Sequence, residues 1–212
     1  RLECARRGFK PIPGSLAEVY GIGEAHGARS VKDVFVRVAA GDTVVFPSNN
    51  VQKCGNVIAL ADDRASAETS ADEAARNIVV RLEPGNQATA AFLRGEGHLD
   101  GPDGAVWPPS AFCGLSAMTL ASLSTMPAFL GKGEGLSIAP LRGISDESGT
   151  DWQGRTIAGS LALIEKFSGV TVGMHGGTVL GAVFWSALIR GGYQAGLWVV
   201  QTVAIKGTDY FA

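Results

Sequence analysis

The pattern of apolar and polar residues is clearest between residues 32 and 83. The stretch VKDVFVRVAAGDTVVF predicts a strand at 32–38, a Gly-Asp turn, and a second strand at 43–46. PSNNVQKCG, which is dense in Pro, Asn and Gly, predicts a loop before the short apolar strand NVIALA. Together these segments predict three strands in succession.

A helix is predicted after the third strand. Small apolar residues recur there at helical spacing: Ala67, Ala71, Ala74, Ala75 and Ile78. Because most of these side chains are small, the helix can lie close to a sheet. Ser66, Asp62 or Asp63 could cap it. IVVRLE then predicts a last strand, which Pro84-Gly85-Asn86 ends. The result is a small β-β-β-α-β unit of the α/β or α+β class, with the helix on one face of its sheet.

The second half of the chain has a different composition and residue pattern. We predict a first region at 1–97, a linker at 98–108 where Gly, Pro and Asp dominate, and a glycine-rich apolar region at 109–212. SAFCGLSAMTLASLS fits a helix or a buried run. GVTVGMHGGTVLGAVFWSALIRGGYQAGLWVVQTVAI predicts several strands joined by glycines. The last region is therefore expected to be mostly β.

Composition excludes some classes of protein. The 212 residues carry a formal charge of -2, so the chain lacks the basic footprint of a nucleic-acid-binding protein. Two uncharged stretches are long enough to span a bilayer, but prolines interrupt one and glycines the other. Buried elements explain both stretches better. The three cysteines, Cys4, Cys54 and Cys113, suit neither a disulfide framework nor a zinc site, which predicts a cytoplasmic protein.

The section from about residue 30 to 95 is similar to the closing part of an ATP-grasp ligase. The matching pieces are Gly41-Asp42, Ser48-Asn49, the strand Gly55-Asn56-Val57-Ile58-Ala59 and the alanine-rich helix from Ala65 to Asn77. The resemblance implies an enzyme that uses ATP and Mg²⁺ to activate a carboxylate as an acyl phosphate. An amine then attacks, and an amide or peptide bond forms.

This sequence departs from that family at the metal site. The family's Glu-x-Asn pair places two oxygen ligands on one side of a strand. Here the nearest match is Glu83-Pro84-Gly85-Asn86, whose extra residue and Pro-Gly turn rule out a shared face. We therefore expect no metal site there, and the chain to be a C-terminal fragment, a separate subunit or a decayed relative. The expected partner is an upstream ATP-grasp body or a second copy of the chain.

The loop Ser48–Lys53 is the best local candidate for ligand contact. Asn49, Asn50 and Lys53 could meet a phosphate or carboxylate in a larger site. A simple turn between strands explains the same residues, and we favour that interpretation. No catalytic residue is identified. An alternative function is a non-catalytic binding or self-assembly module with a glycine-rich β core.

Other candidate motifs are weaker. The glycine-rich stretches Gly21–Gly27 and Gly131–Gly135 lack a complete phosphate-loop pattern, so we predict surface loops. The three histidines, His26, His98 and His175, have no metal-ligand spacing. His98 lies near Asp100 and Asp103 in a segment that predicts an exposed linker better than a cation site.

Overall fold

The chain folds into two units, Arg1–Glu83 and Pro84–Ala212. The structure is a computed structural model that describes residues 2–96, 99–100 and 106–211. For 99–100 and 106–107 it describes the backbone. The predicted linker 98–108 thus falls largely outside the described residues.

The first unit contains two three-stranded antiparallel sheets. Its elements are β1 (Glu3–Phe9), β2 (Gly14–Tyr20), α1 (Ile22–His26), β3 (Val31–Val36), β4 (Thr43–Val44), β5 (Gly55–Ala61), α2 (Arg64–Asn77) and β6 (Val79–Leu82). The first sheet has the order β1-β5-β3, and the second has the order β4-β2-β6. The predicted succession of three strands, helix and strand is confirmed, as is the α+β class.

Helix α2 packs on the first sheet through alanines. The buried cluster consists of Ala5, Ala59, Ala61, Ala67 and Ala71. These short side chains let the helix backbone lie close to the strands. Asp63 caps α2, because its carboxylate accepts a hydrogen bond from the Ser66 N–H at 2.9 Å. The predicted capping and the predicted helical face are both confirmed.

Two strands and one short helix were missed in the sequence. β1 and β2 precede the predicted elements, and they divide those elements between two sheets because β5 pairs with β1 while β6 pairs with β2. The stretch predicted as a surface loop at Gly21–Gly27 instead holds α1. Gly21 begins that helix at φ 79°, where a Cβ would lie 2.2 Å from the Asn77 carbonyl oxygen. Only glycine suits this position.

The second unit is built mainly from helices in the described part of the chain. Its elements are α3 (Gln87–Leu93), β7 (Leu99–Asp100), β8 (Val106–Trp107), α4 (Ala117–Thr125), β9 (Phe129–Leu130), β10 (Leu136–Ile138), α5 (Ile157–Ser168), β11 (Thr178–Leu180) and α6 (Ala182–Lys206). One small sheet has the order β10-β11-β9. The units divide before α3. Within the second unit, the Phe92 ring of α3 lies 4.4 Å from the guanidinium carbon of Arg190 on α6.

The prediction of a mostly β second half is wrong. The apolar stretch with its internal glycines forms α6, which bends at Gly191 and Gly192. The bend frees the carbonyls of Ile189 and Arg190, and these accept hydrogen bonds from the N–H groups of Phe112 and Ala111 at 3.0 and 3.1 Å. Glycines that suggested turns between strands therefore mark a kink in one helix.

Aromatic side chains fill the core of the second unit. Trp185, Tyr193 and Trp198 are buried on α6, and the Trp185 indole N–H donates to the Ala139 carbonyl at 2.8 Å. Trp198 also contacts Tyr210 and Phe211 of the 3₁₀ helix Thr208–Phe211, with near-perpendicular rings. No helix within the described residues combines the length and the apolar character needed to cross a membrane.

Candidate functional site

Strand β1 presents different residues on its two faces. Ala5 joins the alanine cluster under α2, and the Arg7 guanidinium pairs with Asp72 on the same helix. Because successive side chains alternate across a strand, Arg6 and Gly8 lie on the opposite face of the sheet. Arg6 is exposed there. The face away from α2 is therefore open at β1.

Lys53 lies across this open face. A Cβ on Gly8 would be 2.3 Å from Lys53 Cδ and 3.1 Å from its Nζ, so the lysine stem occupies the space that any larger residue at position 8 would need. The Lys53 ammonium donates to the Asn50 side-chain oxygen at 2.9 Å. Arg37 Nη1 makes a long contact of 3.4 Å with the Asn50 carbonyl oxygen. Both cationic groups thus meet at Asn50.

Positive charge accumulates around Lys53. Burial lowers its pKa from the ordinary lysine value, and the nearby charges of Lys10, Arg6 and Arg37 lower it further. Among the residues that the structure describes, Arg6, Arg37 and Lys53 form no ion pair with a carboxylate. We call Arg6, Lys10, Arg37 and Lys53 the cationic face. Three like charges that no described carboxylate neutralises, those of Arg6, Arg37 and Lys53, favour an anion as their ligand.

The loop before β5 is stabilised by its own side chains. Asn49 Oδ1 accepts hydrogen bonds from the N–H groups of Val51 and Gln52 at 2.9 and 3.3 Å. Gln52 Oε1 accepts from the Ser48 N–H and hydroxyl, both at 2.9 Å. Asn49 therefore builds the turn, as the simpler interpretation predicted. The structure brings Asn50 and Lys53 together, and contact of either with a ligand stays a prediction.

Three members of the cationic face were not predicted from the sequence. Arg6 and Lys10 lie on and just after a strand that was not predicted, and Arg37 follows β3. The period-two spacing of Arg6, Gly8 and Lys10 was the available signal. Without the pairing of β1 with β5, that spacing does not lead to Lys53.

The other candidate motifs gain little from the structure. Gly131–Gly135 is the predicted loop, between β9 and β10. His175 is exposed and its ring lies over Gly173, while His26 Nε2 is 3.9 Å from Asp33 Oδ1. The suggested His98 and Asp103 lie outside the described residues, and Asp100 is described only as backbone in β7.

Asn86, the nearest counterpart of the family's metal-binding asparagine, is used as a helix cap. Asn86 Oδ1 accepts from the N–H groups of Ala88 and Thr89 at 2.9 and 3.3 Å, so it caps α3. Across the described ranges, His, Cys, Asp and Glu side chains form no group of three that could hold a metal ion. Mg²⁺ prefers oxygen ligands in octahedral geometry and usually keeps several waters. The described part of the chain therefore holds no site built from three such side chains.

The cysteines differ in accessibility. All three are free thiols, and Cys4 and Cys113 are exposed. Cys54 is fully buried, and burial raises its pKa to about 12. A thiol with so high a pKa is protonated at neutral pH and does not act as a nucleophile.

Comparison with known proteins identifies part of the first unit. Residues 9–83 match the family model of the L-amino acid ligase C-terminal domain 2. No curated protein and no solved structure matches the chain. The matched range runs from the end of β1 through β6, and it includes the segments whose sequence resembles an ATP-grasp ligase. Residues 9–83 are therefore similar to this ligase domain, and the match supports their resemblance to a C-terminal part of an ATP-grasp ligase-type protein.

Proposed function

We propose that this chain supplies the C-terminal part of an ATP-dependent carboxylate–amine ligase and is inactive without an ATP-grasp body. The match of residues 9–83 to a ligase C-terminal domain carries this proposal. That body would activate the carboxylate as an acyl phosphate, and an amine would complete the amide or peptide bond. The chain would act in the cytoplasm, where ATP is supplied.

The distribution of chemical groups supports this division of labour. No group of three His, Cys, Asp or Glu side chains that could hold a metal ion lies within the described residues, and we assign the metal-dependent steps to the body. In the assembled ligase, Asn50 and Lys53 contact a phosphate or carboxylate group. Asn49 holds the loop that positions them, through its bonds to Val51 and Gln52.

The alternative, a non-catalytic binding or self-assembly module, rested on the apolar second half and on the lack of a reactive constellation. The glycine-rich β core expected for it in residues 109–212 is not what the structure has. In the described part of this region the longest element is the 25-residue helix α6, and the strands have two or three residues each. Association of the chain with a second copy remains open to measurement.

The test is to replace the C-terminal domain 2 of an L-amino acid ligase with the full chain. We expect the chimera to release ADP when amino acids are supplied, and the chain alone to release none. The experiment has two controls. The negative control is the truncated ligase without any replacement, and the positive control is the same ligase with its own domain restored. If restoration works and the chimera stays at the level of the truncated ligase, the proposal is wrong.

A further inference from the structure

We propose that the second unit binds a small neutral aromatic molecule, of one ring or two fused rings, in a pocket formed by α3, α6 and the 3₁₀ helix Thr208–Phe211. Every residue that lines this pocket belongs to the second unit and lies outside the matched residues 9–83. The inference therefore goes beyond the ligase proposal and does not depend on it. Its test requires neither an ATP-grasp body nor ligase activity.

The pocket extends from the surface of the second unit into its aromatic core. Its rim carries the exposed residues Arg94 and Ser186, whereas its floor includes Trp198 and Val199, which are 1% and 0% exposed. The volume of the cavity is about 270 Å³. An apolar cavity of about 150 Å³ already holds benzene, so this pocket has room for a ligand of one ring or two fused rings.

Three aromatic rings form one wall of the pocket. The centroid of the Trp198 ring lies 6.0 Å from that of Tyr210 and 5.9 Å from that of Phe211, and the last two are 5.1 Å apart. The Tyr210 hydroxyl donates to the Gly85 carbonyl at 3.1 Å, which fixes that ring. Rings that are held in place before binding lose little entropy when a ligand arrives, and they favour edge-to-face contact with another aromatic ring. This wall therefore favours an aromatic ligand.

The charge at the rim is already balanced. Arg94 Nε donates to Glu96 Oε1 at 2.6 Å, and Arg94 Nη2 donates to Glu96 Oε2 at 3.1 Å. Among the described residues that line the pocket, Arg94 alone has a charged side chain. A ligand carboxylate would have to compete with Glu96 for this guanidinium, and it would lose hydration without full compensation. The Ser186 hydroxyl at the rim can accept a hydrogen bond from a neutral N–H or O–H group. The lining therefore selects a neutral ligand.

The experiment is calorimetric titration of the full chain with indole and with indole-3-carboxylate, which carry the same rings and differ in charge. We expect indole to bind at one site and indole-3-carboxylate to bind about tenfold more weakly. Glu96→Gln releases the Arg94 guanidinium from its ion pair. This variant should bind indole-3-carboxylate about tenfold more tightly than the parent chain does, and it should bind indole within about twofold of the parent.

Two matched substitutions on α6 test the location of the site. Ser186→Phe introduces a ring at the rim of the pocket and should weaken indole binding by more than about tenfold, because the added ring occupies the space of the ligand. Ile205→Phe introduces the same side chain at an exposed position of α6 that does not line the pocket, and it should leave indole affinity within about twofold. Phe211→Leu keeps an apolar side chain but removes one ring of the wall, which should weaken indole binding by about threefold to tenfold.

The variants at positions 96, 186 and 205 also separate binding from folding. All three positions are exposed, so the melting temperatures of these variants should stay close to that of the parent chain. The proposal is wrong if indole shows no saturable binding to the parent chain, if Ser186→Phe binds indole as the parent does, or if the parent binds indole-3-carboxylate as tightly as indole.

Discussion

The two units bury their cores in different ways. In the first, alanines on α2 meet alanines on β1 and β5, and the helix lies close to the sheet. In the second, large side chains on α6 such as Trp185 and Trp198 are almost wholly buried. A core packed from small side chains loses stability when atoms are added, whereas a core of aromatic side chains loses stability when atoms are removed. This contrast predicts which substitutions will damage each unit.

The largest loss of stability should come from removing a buried aromatic side chain of the second unit. Trp198→Ala removes a buried ring that contacts Tyr210 and Phe211, and it should lower the free energy of unfolding by about 3–5 kcal/mol. Urea unfolding followed by near-UV circular dichroism measures this change. Leu120→Ala, at a half-exposed position on α4, should change stability by less than about 0.5 kcal/mol. Similar losses for the two variants would show that the aromatic core does not stabilise the unit.

A smaller but still severe effect should come from adding one methyl group to the first sheet. At Gly55 a Cβ would lie 2.1 Å from the Phe35 carbonyl oxygen and 2.3 Å from the Phe9 ring. Gly55→Ala should therefore lower the free energy of unfolding by about 3 kcal/mol. Gly23→Ala is the matched control, because a Cβ there meets nothing within 4 Å. It should leave stability unchanged or raise it by about 0.5 kcal/mol. Equal losses in both variants would contradict the close packing at Gly55.

The smallest effect concerns the cap of α2. Hydrogen bonds from the Ser66 hydroxyl and N–H lower the pKa of Asp63 below its ordinary value. A carboxylate with a lowered pKa stabilises the fold above its ordinary pKa, and this contribution is lost as pH falls through the lowered value. Asp63→Asn keeps a capping acceptor but cannot titrate. The stability difference between parent and variant should change in acid and stay constant at neutral pH. A stability difference that does not change with pH would exclude this contribution of the Asp63 carboxylate.

The contrast between the units also explains which helices and strands could be predicted from the sequence. In the first unit, small apolar residues at positions such as Ala67 and Ala71 lie on one side of α2, so the helical period was visible. In α6, residues 191–200 are all buried, and a helix buried on every side shows no period. β1 was missed because Arg6 and Arg7 interrupt the apolar alternation.

The candidate site was predicted only in part, for a related reason. Lys53 and its loop were identified from local composition, and Asn49 has the turn role expected of it. Arg6 and Arg37 reach Lys53 through strand pairings between residues far apart in the sequence. Local patterns do not specify which strands pair, so the cationic face became visible only in the folded unit.

The most direct measurement is titration of the purified full chain with ATP, first with a chelator and then with excess Mg²⁺. We propose that the ATP-dependent chemistry lies on a separate ATP-grasp body. The chain alone should therefore release no ADP from ATP in either condition. ATP binding that strengthens with Mg²⁺, accompanied by ADP release from the chain alone, would contradict the account and reveal a nucleotide site of its own.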